Sequence, residues 1–300
     1  YYVCQPHASS GMKGVIIAHH PPVWGCTDSL ACNYDPLANT DDGSCYYPIT
    51  SATTITTCDT YAWPLNGQIY TSSGTYSSSS ISSNILPTGT YNTPGYATGV
   101  TINGNYAFVA DNSQGLQIID ISNPSLPTLT GTYNTGDAQG VTVSGNYAFV
   151  AGAGNGLQII DISNPSLPTL TGTYNTPGYA YDVTVNGNYA FVADAGGGIQ
   201  IIDISNPYLP TLTGTYTPSG IYATGVTING NYAFVADYMQ GLQIIDISNP
   251  SLPTLTGTYI TPGYPVGVTV NGNYAFVADN SQGLQIIDIS NPSLPTLTGT

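Results

Sequence analysis

Residues 103–127 read N-G-N-Y-A-F-V-A-D-N-S-Q-G-L-Q-I-I-D-I-S-N-P-S-L-P. Two runs of β-branched and aromatic residues stand between turn formers, and neither keeps a helical period. Tyr106, Phe108 and Ala110 alternate with Ala107 and Val109, while Ile118 and Ile119 fall on opposite faces, so both runs are apolar on both sides. A strand buried on both faces belongs inside a stack of sheets.

The stretch recurs. N-Y-A-F-V-A begins at Asn105, Asn146, Asn188, Asn231 and Asn273, at spacings of 41, 42, 43 and 42, and residues 103–132 and 271–300 are identical. Five complete units run from Gly89 to Thr298. In the first unit the pattern predicts strands at Thr98–Ile102, Tyr106–Asp111, Leu116–Ser122 and Thr128–Thr135, separated by N-G-N, N-S-Q-G and N-P-S-L-P turns. Four short strands in each unit, repeated, is the arithmetic of β-propeller blades around an axis; a β-solenoid coil is usually shorter. The expected fold is all-β: a propeller of four-stranded blades with five complete copies in view.

The run N-G-N-Y-A-F-V-A-D followed by G-L-Q-I-I-D-I-S-N-P-S-L-P resembles the LVIVD repeat of secreted or surface proteins of bacteria and archaea. The resemblance spans residues 89–300 and implies a propeller, with no common activity attached. In an up-and-down blade the second-to-third loop and the unit-to-unit loop emerge on one side, and those two loops are where the copies differ. That variable face carries Tyr96, Tyr179, Tyr181, Tyr222, Tyr238, Met239 and Tyr264. Tyrosine offers contact area at low entropy cost, which suits a binding surface; simple drift of the loops is the alternative. Asp120, Asp161, Asp203, Asp246 and Asp288 recur in I-I-D-I-S-N-P, where each is expected to accept a backbone N–H in the Ser-Asn-Pro turn rather than join a cation-binding ring. A second series, Asp111, Asp194, Asp237 and Asp279, is broken by Gly152 in the second copy.

One basic residue, Lys13, stands against sixteen acidic residues, all Asp, for a formal net charge of -15. No cationic surface can neutralise phosphates, so nucleic acid and anionic membranes are excluded as partners. Exposed ion pairs are almost absent, which suits a secreted or cell-surface protein in salty water.

Before the repeats, the composition changes several times. Residues 1–18 contain Y-Y-V-C-Q-P-H-A-S-S-G-M-K-G-V-I-I, with Cys4, His7 and Met12 in one tight loop between two strand-like runs. This stretch resembles the last hairpin of the plastocyanin and pseudoazurin group of cupredoxins. The resemblance implies that residues 1–18 end a cupredoxin-like domain, with Cys4 and His7 as equatorial copper ligands and Met12 as the axial one. The second histidine of such a site lies earlier in the barrel, so copper is expected in an intact parent protein and at most weakly here. The chain also stops on the first two residues of a further copy, and so reads as a window on a longer protein.

Residues 19–24, with His19-His20 and two prolines, read as a linker. Residues 25–48 form an Asp- and Cys-rich module. It resembles short segments of the C-T-D-x-x-A-x-N-Y-x-x-x-A-x-x-D-D-G-S-C type found between domains of secreted bacterial proteins, and that resemblance implies a Cys26–Cys45 bridge. Cys32 then has Cys58 as its nearest candidate; four cysteines allow three pairings and the residues do not choose among them. Asn33, Asp35, Asn39, Asp41 and Asp42 are calcium-ligand candidates, although the spacing fails the EF-hand pattern, and a disulfide-stapled turn cluster is the competing reading. Residues 49–72 predict a β-hairpin turning at Asn66-Gly67, with Tyr61 and Trp63 as its core, and residues 73–88 a Ser-rich linker.

The expected function is binding or scaffolding, the propeller presenting its Tyr-bearing face to a protein or a glycan. The alternative is electron transfer, with the copper domain carrying the redox step and the propeller docking a partner. An enzyme is not expected, because the copies share every plausible acid and no lone nucleophile–base pair stands out.

Overall fold

The computed structural model describes residues 23–29, 34–41, 43–45 and 88–299, together with the backbone of Tyr61–Ala62 and Ile69–Tyr70. The chain divides into two compact units, Tyr1–Leu86 and Pro87–Thr300.

In the first unit, Trp24–Gly25 pairs in parallel with Thr40–Asp41, and Cys26 is bonded to Cys45 with their Cα atoms 4.8 Å apart. That is the pairing implied by the resemblance. Tyr61↔Tyr70 and Ala62↔Ile69 form an antiparallel pair; the turn expected at Asn66-Gly67 lies outside the described residues. Cys32, Cys58 and Trp63 lie outside the described residues.

The second unit holds five four-stranded antiparallel sheets, each with its strands in chain order. The strands of the first sheet are Gly99–Asn103, Tyr106–Ala110, Leu116–Asp120 and Thr128–Tyr133. The other four sheets repeat this register, and the first strands of successive sheets lie side by side. This is the arrangement of propeller blades.

The two-faced strands explain the stack. Phe108, Ala110, Leu116 and Ile118 of the first blade close on Ala138, Val141, Ala148, Val150, Ile160 and Ile162 of the second. The same set recurs at the next three junctions. Each fully buried Leu, Ile or Phe contributes about 1.5–3 kcal/mol, so four such junctions provide most of the cohesion. Among the described residues the two end faces are less covered than the junctions: Val100 of the first blade is 65% exposed where Val141 is 7%, although Ala107, Val109 and Ile119 there pack against Tyr91, and Leu284 of the fifth is 49% exposed where Leu116 is 0%.

A second tie runs along the outer edge. The third and fourth strands of every sheet shift register at Ile118/Ile119 or its equivalent, a bulge in the outer strand. Beside the bulge, Gly131 meets the N-P-S-L-P loop of the next blade: a Cβ there would stand 2.1 Å from the Pro165 carbonyl oxygen. Gly172, Gly214 and Gly257 repeat the contact with Pro207, Pro250 and Pro292. The glycine in T-L-T-G-T-Y is thus required by close approach between blades.

Candidate functional site

The variable face is built on a rigid base. The Asn112–Ala138, Ala153–Ala180 and Ala195–Ala223 bridges join the second-to-third loop of one blade to the chain entering the next. Beneath these loops lie the carboxylates of Asp111, Asp194, Asp237 and Asp279, all fully buried. Asp111 accepts hydrogen bonds from the Thr93 hydroxyl (2.7 Å) and the Gly95 N–H (2.9 Å). Asp194 accepts from Thr176 and Gly178, and Asp279 from Thr261 and Gly263. Asp237 accepts instead from the N–H groups of Tyr222 and Met239 and from the Gln243 amide. Burial is the largest influence on Asp194 and raises its carboxyl above the ordinary 3.8, against the two hydrogen bonds. This Asp series orders the loops that hold the tyrosines.

On that base the tyrosines form a continuous run over three blades. Ring centroids are 4.9 Å apart for Tyr179–Tyr181, 6.0 Å for Tyr181–Tyr222, 5.9 Å for Tyr222–Tyr238 and 4.8 Å for the stacked pair Tyr238–Tyr264. The Tyr181 and Tyr222 hydroxyls are 3.2 Å apart. That hydrogen bond, with burial second, pushes the Tyr181 phenol up to about 12. Tyr181, Tyr222, Thr224, Tyr238, Met239 and Val266 line a cavity of about 590 Å³. Tyr96, on the first blade, is exposed and outside the run.

A second cavity, of about 300 Å³, sits where the five first strands converge, with residues from every blade in its wall, among them Thr98, Gln139, Asp182, Thr224 and Val266. Its single carboxylate is Asp182. The strand register places Asp182 where the other blades carry Gly99, Gly140, Gly225 and Gly267. Its Oδ1 accepts from the Val183 N–H (2.8 Å) and its Oδ2 reaches the fourth blade to accept from Val226 N–H (3.0 Å). Burial is again the largest influence and raises this carboxyl above 3.8. Asp182 escaped the sequence reading, although aligning the copies shows D-V-T against G-V-T in the rest.

Asp120, Asp161, Asp203, Asp246 and Asp288 take the turn role expected of them: each accepts from the N–H of the serine two residues on, at 2.8 Å. Hydrogen bonds from that serine's hydroxyl and N–H together hold each carboxyl below its ordinary value. In the first unit, Asp35 accepts from Leu37 N–H and Asp41 from Gly43 N–H in local turns, while Asn39 accepts from Val23 N–H sixteen residues away. Asn33 and Asp42 lie outside the described residues, as do Cys4, His7 and Met12. Among the described residues, no three His, Cys, Asp or Glu side chains gather as a metal site.

The LVIVD-repeat model matches residues 94–135, 136–176, 177–218, 220–261 and 262–300, so the chain belongs to the LVIVD-repeat family. Among curated proteins none matches. Among solved structures, a functionally unknown protein from Desulfotomaculum acetoxidans is similar at 18% identity and a TM-score of 0.58, over 70% of this chain and 70% of that one. The β-propeller domain of Cps50 (Swd1) from Myceliophteria thermophila is similar at 14% identity and 0.55, over 69% and 72%. The computationally designed Ika8 protein is similar at 10% and 0.53, over 65% of this chain and 59% of its own length. At these identities the likeness is one of fold.

Proposed function

We propose that the protein is a binding scaffold, secreted or on the cell surface, whose propeller presents its Tyr-bearing face to a protein or glycan partner. The observation that carries this reading is the unbroken run Tyr179–Tyr181–Tyr222–Tyr238–Tyr264 beside an apolar cavity. Aromatic side chains gathered at a concavity supply contact area at small entropic cost. The loops beneath are fixed by inter-blade bridges and buried carboxylates, so the surface is organised before a partner arrives. The Cys26–Cys45 bond supports an oxidising location.

The test compares the 300-residue protein with a Tyr222→Ala/Tyr238→Ala double variant on a glycan array and against a displayed peptide library. The expected result is a defined set of bound sequences or sugars that the double variant loses while its circular dichroism is unchanged. Equal binding by both proteins overturns the assignment.

A further inference from the structure

We propose that the two cavities form one site for an organic ammonium group, with Asp182 as its counter-charge and Tyr181, Tyr222 and Tyr238 as its aromatic wall. This rests on the reading of the Tyr face as the binding surface and names the chemistry it selects. The two cavities share Tyr181, Thr224 and Val266 in their linings, so the carboxylate end and the aromatic end are continuous.

Four observations converge on a cation. Asp182 is the one acid in the cavity wall, and residues 88–299 contain no Lys, Arg or His to neutralise it. A half-buried carboxylate met only by two peptide N–H groups is costly, and a bound cation offsets that cost. The adjoining tyrosine rings stand 6.0 and 5.9 Å apart in succession, a spacing that lets one ammonium lie within about 6 Å of more than one ring face. Finally, the protein carries a net charge of -15, so its field concentrates cations at a concave mouth. A neutral ligand gains nothing from the field and at most a hydrogen bond from the carboxylate.

The blades themselves supply the control. Asp182→Gly installs the residue that the other four copies carry at this strand position, removing the carboxylate while keeping a backbone this fold already uses. Asp182→Asn removes the charge while retaining one oxygen for the Val226 N–H, at the loss of the acceptor for the Val183 N–H.

The experiment is calorimetric titration of the 300-residue protein with choline, with Nα-acetyl-lysine amide, and with 3,3-dimethylbutan-1-ol, the uncharged carbon analogue of choline. Saturable binding of an ammonium at least about tenfold tighter than the neutral analogue is expected. Both Asp182 variants should lose that margin with their circular dichroism unchanged. A preference for choline assigns the site to a small quaternary ion; a preference for the lysine amide assigns it to a side chain of a partner protein. Equal binding of the neutral analogue, or a margin that survives Asp182→Gly, overturns the ammonium site. No response to either ammonium, while array binding still depends on Tyr222 and Tyr238, overturns it too and leaves the binding surface standing; loss of both results overturns both readings.

Discussion

The Thr135 hydroxyl is buried without a hydrogen-bond partner, and Gly152 stands at the position from which an Asp accepts that bond in three other blades. The Gln158 amide has moved into the vacancy and donates to the Thr135 carbonyl at 2.6 Å.

Gly152→Asp therefore restores a missing acceptor. A Cβ at Gly152 comes closer than contact distance only to the far end of Gln158, with Asn155 Cβ and the Gly156 carbonyl oxygen at 3.4 Å, and that glutamine can swing to its own loop carbonyl as Gln117, Gln200 and Gln285 do. An unsatisfied buried donor costs about 1–3 kcal/mol. Part of the gain is spent on burying another carboxylate, so thermal unfolding is expected to shift upward by a few degrees, roughly 2–4 °C for about 1 kcal/mol in a domain of this size. A lowered Tm would count against the network.

Gly131→Ala is expected to be severe and Gly104→Ala mild. At Gly131 the new methyl collides with the backbone oxygen of Pro165, whereas Gly104 faces open space and is strained only by its φ of +57°. Overpacking costs about 1–3 kcal/mol or more, against about 1 kcal/mol for the turn. Urea midpoints of the two variants make the comparison, and the opposite order would remove the close inter-blade contact as the reason for that glycine.

Leu116 and Leu284 occupy the same place in identical 30-residue sequences, yet one is buried and the other half exposed. Leu116→Ala is expected to cost about 2–5 kcal/mol and Leu284→Ala well under half as much. Equal costs, read from denaturant unfolding, would mean that the fifth blade's outer face is covered in solution.

Stability should depend on pH in two opposed ways. Burial raises the folded values of Asp182 and Asp194, so the fold takes up those protons more readily than the unfolded chain. Their penalty at neutral pH is relieved as pH falls through the folded values. Asp120, Asp161, Asp203, Asp246 and Asp288 are held low by their serine hydrogen bonds; the stability these give is present above the ordinary 3.8 and lost as pH drops through the folded values. Tm is thus expected to rise as pH falls from 7 through the raised values of Asp182 and Asp194 and to fall in acid below 3.8, with a smaller rise in Asp182→Gly. A steady decline from pH 7 downward would contradict the burial argument.

The blade was legible because its signals are local. Alternation placed Phe108 and Ala110 on one face and Ala107 and Val109 on the other; the first set packs on the second blade, and the second set packs with Ile119 and Tyr91 on the first blade's other side. The turn role of Asp120 followed from the adjacent Ser-Asn-Pro. Meander topology placed the variable loops together, and the tyrosines from Tyr179 to Tyr264 duly meet. What stayed hidden depends on distance along the chain. That Asp182 stands in the wall of a central cavity requires five strands to converge, and that Thr135 lacks an acceptor requires knowing which loop its hydroxyl meets in the other copies. Tyr96 shares its motif with Tyr179, but motif alone could not tell that it stands outside the run.

Every junction between blades is chemically the same joint, closed by one recurring set of apolar residues and one glycine against a proline loop. An in-frame gain or loss of one repeat in the gene therefore replaces a joint with its equal, and nothing in the remaining blades needs to mutate to accommodate it. Because Tyr179, Tyr181 and Tyr222 flank Ala180 and Ala223, which help close those joints, each repeat carries its share of the binding surface with it, and recombination among repeats changes the reach of the array and the pattern of that surface together.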